Sequence, residues 1–222
     1  MTTDSVPGPS VPGPSASDPG ASGPGPRPPI EAARGATRRR LVEAAAALFW
    51  ADGYTATSIA AVAAEAAVPA GNVFYHFKAK ADLARAVVDL FASETAASLA
   101  RIDRRQPKPL DRLAAFAALL ADAVQSRVAR GCPIARGTTE FPAACEPARP
   151  FTIMADWLAA VLVATGVGPE AARAVALSAL ARWQGAIVLA HATADETLLA
   201  REIEAVGQVL RTAAVGALGA KT

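Results

Sequence analysis

Residues 53–83 read GYTATSIAAVAAEAAVPAGNVFYHFKAKADL. Gly53-Tyr54 can close one helix, and Thr57 stands where a hydroxyl caps a second over 58–66. Val68-Pro69 then makes a tight turn into a short third helix over 71–77. Gly71 and Asn72 are poor helix formers and Tyr75 and His76 are polar-tipped, a set that packing alone rarely selects. Small residues at the front of this helix let its backbone approach a surface closely. Asn72, Tyr75, His76 and Lys80 offer donors for phosphates or base edges. The stretch therefore predicts a helix-turn-helix that docks on double-stranded DNA. Ala70, Gly71, Asn72 and Phe74 are expected at the bases; Arg38, Arg39, Thr57, Tyr75, His76 and Lys80 are expected at phosphates.

Charge supports that placement. The chain is nearly neutral, at +2, yet between positions 34 and 80 six basic residues (Arg34, Arg38, Arg39, Arg40, Lys78, Lys80) face three acids (Glu43, Asp52, Glu65). Such a local excess is what a phosphate-facing surface requires. Arg38-Arg39-Arg40 can also be a solvated helix start, and Tyr75-His76 a half-buried pair closing its helix. Phe74 either packs inward or presses on a thymine methyl. Lys78 reads as a solvated charge, whereas Lys80, at the start of a fourth helix, is placed for a phosphate.

Outside this segment the chain is helical throughout. Alanine and leucine recur with a period near 3.6, and nine helices are expected, over about 36–51, 58–66, 71–77, 80–104, 110–129, 134–141, 151–164, 169–192 and 195–218. Residues 1–29 differ: they hold nine of the seventeen prolines and repeat SVPGP at 5–9 and 10–14. That composition predicts a disordered tail, solvated or serving as a proline-motif ligand, and it lacks the apolar core of a signal peptide. The expected division is a tail over 1–33, a DNA-binding domain over 34–80 and a second helical domain over 81–222. No uncharged apolar run nears the roughly 18 residues of a membrane span. Two cysteines make no disulfide framework, so a reducing cytoplasm is expected.

From Thr37 through LVEAAAALFWADGY (41–54) to Leu83, the spacing of Thr57-Ser58, Val68, Gly71-Asn72, Tyr75-His76-Phe77 and Lys80 resembles the DNA-binding domain of the TetR family of bacterial transcriptional regulators. Ala67 departs from a usual glycine there, and Ala79 from a usual Ser or Thr cap, with Asp82 left to suit the helix dipole. GCPIARGTTE (131–140) and WQGAIVLAHATADETLL (183–199) resemble segments of one branch of that family. The resemblance implies an all-α, two-domain architecture and a homodimeric, ligand-responsive regulator, most simply a repressor released from a palindromic operator by a small hydrophobic molecule. Phe116, Trp157 and Trp183 on helical faces are most often core residues; in such a fold they, with Gln184, are expected at an apolar cavity between the fifth to eighth helices.

The dimer is expected on the last two helices. Val175, Ala179, Trp183, Ala186 and Ala190 recur at three- and four-residue spacing, either as an interface between copies or as packing within one subunit. Cys132, before Pro133, is either a small buried residue or a redox sensor. An enzyme using Cys132 as nucleophile lacks a paired base, and His191 has no partner at metal spacing, so neither catalytic nor metal site nor cofactor is expected. A ligand-independent architectural DNA binder is the remaining alternative.

Overall fold

The computed structural model describes residues 30–219, so the proline-rich stretch 1–29 lies outside it. Among the described residues all regular structure is helical. The α-helices are α1 (Ile30–Ala51), α2 (Ile59–Glu65), α3 (Ala70–His76), α4 (Lys80–Arg105), α5 (Pro109–Ala121), α6 (Val124–Arg130), α7 (Pro133–Glu140), α8 (Arg149–Ala164), α9 (Pro169–Thr193) and α10 (Glu196–Gly219). A single 3₁₀ turn, Ala143–Cys145, joins α7 towards α8.

Two boundaries differ from expectation. Helix α1 starts at Ile30, inside the stretch assigned to the tail, directly after Pro28-Pro29, which cannot continue a helix interior. The helix expected over 110–129 is two, so among the described residues ten α-helices stand where nine were expected. At the break the Ala123 N–H turns back to the Leu120 carbonyl, an i→i−3 bond of 3.3 Å, before α6 resumes. Neither proline nor glycine marks that break in the sequence.

Apolar burial divides into two clusters. One gathers α1 to α3 and the first half of α4 around Leu41, Phe49, Val62, Val73, Leu83 and Val87, and draws in Cys145. The other packs the second half of α4 with α5 to α10 around Phe116, Leu158, Leu162, Ile187 and Leu210. Helix α4 thus serves both cores, with Phe91 between them. Ion pairs Arg149–Asp89 and Arg112–Asp103 tie α8 and α5 to it.

Helix α9 carries the main correction. Ala179, Trp183, Ala186 and Ala190, expected on a dimer face, are at most 5% exposed within a single chain. Val175 packs against the same core. The small side chains of Ala179, Ala186 and Ala190 let α8 and α10 pack closely on α9. The face left outside carries Leu177, Val188 and Leu189, exposed by 49, 64 and 57%. By length and composition α9 is apolar enough to cross a membrane, but its apolar residues divide between that core and this outer face.

Candidate nucleic-acid interface and adjoining cavity

Each side chain on α3 is placed by one buried anchor. Val73 is fully buried and Phe77, just past the helix, is 3% exposed, so the opposite face of this two-turn helix points out. That face holds Ala70, Gly71, Asn72, Phe74 and Tyr75. Phe74 and Tyr75 are more than half exposed, so Phe74 does not pack inward. A Cβ built on Gly71 meets nothing within 4 Å, which leaves its open space to an approaching surface.

A basic rim flanks this face. Arg34 lies over the Tyr75 ring at 4.6 Å and Arg38 over the Phe77 ring at 5.1 Å, one helical turn apart on α1. Burial, then Arg34 and Arg38, push the His76 imidazole below its ordinary value and so favour its neutral form. Arg39 is exposed and, by helix geometry, about 100° round α1 from Arg38. Lys80 stands over the Tyr54 ring at 4.4 Å and donates to the Thr55 carbonyl at 3.3 Å. Arg34 was counted in the basic excess but not assigned a contact; its spacing of four from Arg38 was the available signal.

Thr57 leaves the expected set. It is 4% exposed and its hydroxyl donates inward to the Gly53 carbonyl at 2.7 Å, away from a phosphate, and it stands one residue before the cap of α2. Ser58 caps instead, its oxygen accepting from the Ala61 N–H at 3.0 Å. Asp82 supplies half a capping box for α4, accepting from the Ala79 N–H at 3.0 Å. Ala67 sits at φ +51°, left-handed backbone where glycine would be unstrained.

Helix α7 grips the end of α1. Arg136 donates to the carbonyls of Trp50 and Ala51 at 2.7 and 3.2 Å, and pairs with Glu140 at 2.9 Å. Glu140 accepts from the Tyr54 N–H at 2.5 Å. Burial acts to raise the Glu140 carboxyl, but the Arg136 side chain and the N–H groups of Tyr54 and Thr55 outweigh it and hold it low. Phe49, Tyr54 and Phe141 close edge-to-face beside this grip, with centroids 5.3 to 5.6 Å apart.

Between these parts lies a cavity of about 580 Å³, bounded by α1, α4, α5, α6, α7, α8 and α9. Phe116 and Trp183 line it as expected. Trp157 does not: its ring lies tilted against Phe116, centroids 5.8 Å apart, and it donates its indole N–H to Asp103 at 3.0 Å. Nor does Gln184, which lines a separate groove with Leu177 and Phe151 and has both amide atoms buried. Sequence reasoning missed Trp50, Arg127, Arg130 and Glu94, because a cavity assembled from seven helices leaves no local pattern. Arg130 covers the Trp50 ring at 3.8 Å, and the Trp50 indole donates to the Arg130 carbonyl at 3.0 Å. Burial, more than Glu43, raises the Glu94 carboxyl.

Cys132 is buried, its sulfur accepting from the Ala135 N–H at 3.5 Å, and His191 Nδ1 bonds the Val128 carbonyl at 2.8 Å. Among the described residues no three His, Cys, Asp or Glu side chains converge as metal ligands would.

Comparison with known proteins agrees with this architecture. Residues 41–87 match the family model described as bacterial regulatory proteins, tetR family, and residues 109–205 match that of the LmrA/YxaF-like transcriptional regulator C-terminal domain. No curated protein matches significantly. Among solved structures, a TetR transcriptional regulator from Legionella pneumophila superposes with a TM-score of 0.69 at 24% identity, over 78% of this chain and 96% of that one. A TetR-family regulator from Streptomyces coelicolor gives 0.70 at 22% identity, over 81 and 97%. One from Chloroflexus aurantiacus gives 0.65 at 26%, over 80 and 95%.

Proposed function

We propose that this chain, which belongs to the tetR family of DNA-binding transcriptional regulators, is a cytoplasmic homodimeric repressor without enzymatic activity. In this reading it is released from a palindromic operator by a small, largely apolar molecule. The observation that carries the reading is the outward face of α3, with Ala70, Gly71, Asn72 and Phe74 exposed and Arg34, Arg38, His76 and Lys80 around it. Such a face fits a major groove, with bases under Ala70 to Phe74 and phosphates at the rim.

Two copies are required for affinity, since one short helix reads few bases. Leu177 and Val188 lie eleven residues apart on α9, hence about 20° apart around it, and give the apolar stripe on which copies meet. Release follows from linkage. A molecule that fits the cavity better when α1 is displaced lowers operator affinity by the same factor. Ala46, Ala47 and Trp50 of α1 form part of the cavity wall, which supports that coupling. The test is a gel-shift titration on an operator selected from random DNA, with and without compounds that raise the melting temperature. Supershift of a dimer that dissociates with such a compound is expected. Equal affinity for random DNA, insensitive to every stabilising compound, would favour the architectural alternative.

A further inference from the structure

We infer that the molecule held in this cavity is an amphipathic anion, a carboxylate or phenolate on an apolar body, with its charged oxygen on Arg127 and Arg130. The inference rests on reading the cavity as the effector site. Its body is set by the walls: Phe91, Phe116, Leu119, Ile134 and Met154 admit no charge. Its head is set by what the protein leaves unpaired. Arg127 is drawn into the wall with its Nε buried and without a hydrogen-bond partner. Among the described residues no carboxylate pairs with Arg127 or Arg130. The Arg127 guanidinium sits 5.4 Å from the Trp50 ring centroid, an attraction that leaves its in-plane N–H groups unused. A planar oxyanion is the group that such a fork accepts in two-point fashion.

Two further features agree. The Trp183 indole N–H, in a residue only 4% exposed on the cavity wall, is also without a partner, so a second oxygen on the ligand has a donor to meet. Glu94 is the one acid among the lining residues, and burial favours its neutral form, which lessens its repulsion of an anion. A cationic ligand would face two guanidinium groups, neither of them paired with a carboxylate among the described residues. An anion between Arg127 and Arg130 would also meet the two guanidinium groups that lie over Trp50, and Trp50 belongs to the last turn of α1. Charge on the ligand is thereby linked to the helix that carries half of the basic rim.

The test titrates the full chain calorimetrically with decanoate, 1-decanol and decyltrimethylammonium, which share one apolar body. Decanoate is expected to bind about tenfold or more tightly than either, the range of a charge-assisted hydrogen bond. Arg127→Gln should bring the decanoate-to-decanol ratio near one, Arg127→Lys should restore part of it, and Trp183→Phe should weaken decanoate several-fold. Arg130→Gln, at an exposed position, should lower the ratio too and serves where Arg127→Gln does not fold. If decanol or the ammonium binds as tightly as decanoate, or if the ratio survives these substitutions, the anion inference falls while the effector reading stands. If none of the three binds, the cavity is not a ligand site and both fall.

Discussion

The Arg136 guanidinium, on α7, donates to the Trp50 carbonyl at the end of α1 at 2.7 Å. This bond, with Glu140 on the Tyr54 N–H, joins the DNA-facing helices to the cavity-bearing ones across 86 residues of sequence. Removing the charge should be costly, because two carbonyls then lose a charged donor. Arg136→Ala is expected to destabilise by about 1.5–3 kcal/mol, which lowers the melting temperature by roughly 3–12 °C. Scanning calorimetry checks this, and an unchanged melting temperature would remove the grip from the account.

Gly53 explains why glycine ends the segment before α2. It adopts φ +93°, and a Cβ there would stand 2.8 Å from Glu140 Oε2. Gly53→Ala should therefore cost about 1–2 kcal/mol from backbone strain alone, and more if Glu140 cannot retreat. Measured by chemical denaturation, a neutral effect would contradict both points.

Ala67 is the converse case. At φ +51° it holds a position where the resemblance implied glycine. Ala67→Gly should stabilise by about 0.5–1 kcal/mol, the strain removed less the chain entropy added, with melting raised by roughly 1–4 °C. A lower melting temperature would show that the turn is not strained.

Much of the DNA-facing half was legible because it is local. The Gly53-Tyr54 break, the Val68-Pro69 turn and the exposed Gly71-Asn72 face each follow from residues a few positions apart. Thr57 and Ser58 show the limit: both can cap, and only the chain's path decides that Thr57 turns inward to Gly53. Helix α9 was misread for a related reason. Period 3.6 marks an apolar stripe but not what covers it, and the alanines at 179, 186 and 190 belong to the subunit's own core. Arg127 needs tertiary contacts to be recognised at all.

The outer stripe of α9 now carries the dimer prediction. Leu177→Glu with Val188→Glu should yield folded monomers by sedimentation, with specific operator affinity reduced at least a hundredfold. Ala186→Asp should instead unfold the protein, since an unpaired charge would be buried. A dimer persisting in the double variant would place the interface elsewhere.

His76 gives a pH signature. Its pKa is depressed in the free protein, whereas a phosphate beside it raises that pKa, so the complex takes up a proton. Operator affinity should therefore rise as pH falls from about 7 towards 5.5, with a slope no steeper than about −1 in log K per pH unit. Folding shows the opposite trend: the unfolded chain binds that proton more readily, so stability falls as pH drops below the ordinary histidine value. His76→Gln should flatten the affinity profile, and a profile unchanged by it would take His76 off the phosphate.

The central claim is that the exposed face of α3 selects a DNA sequence. Its most direct test is footprinting on an operator selected from random DNA, with the natural chain, Lys80→Ala and Gly71→Leu side by side. The account predicts one palindromic footprint, with half-sites about 34 Å or somewhat more apart. Lys80→Ala should weaken every sequence alike and flatten the salt dependence by about one phosphate's worth, near 0.9 in the log–log slope. Gly71→Leu, whose Cβ would meet nothing within 4 Å on this exposed face, should leave a stable protein that protects nothing specifically. Protection of the same palindrome by Gly71→Leu at unreduced affinity would contradict the claim.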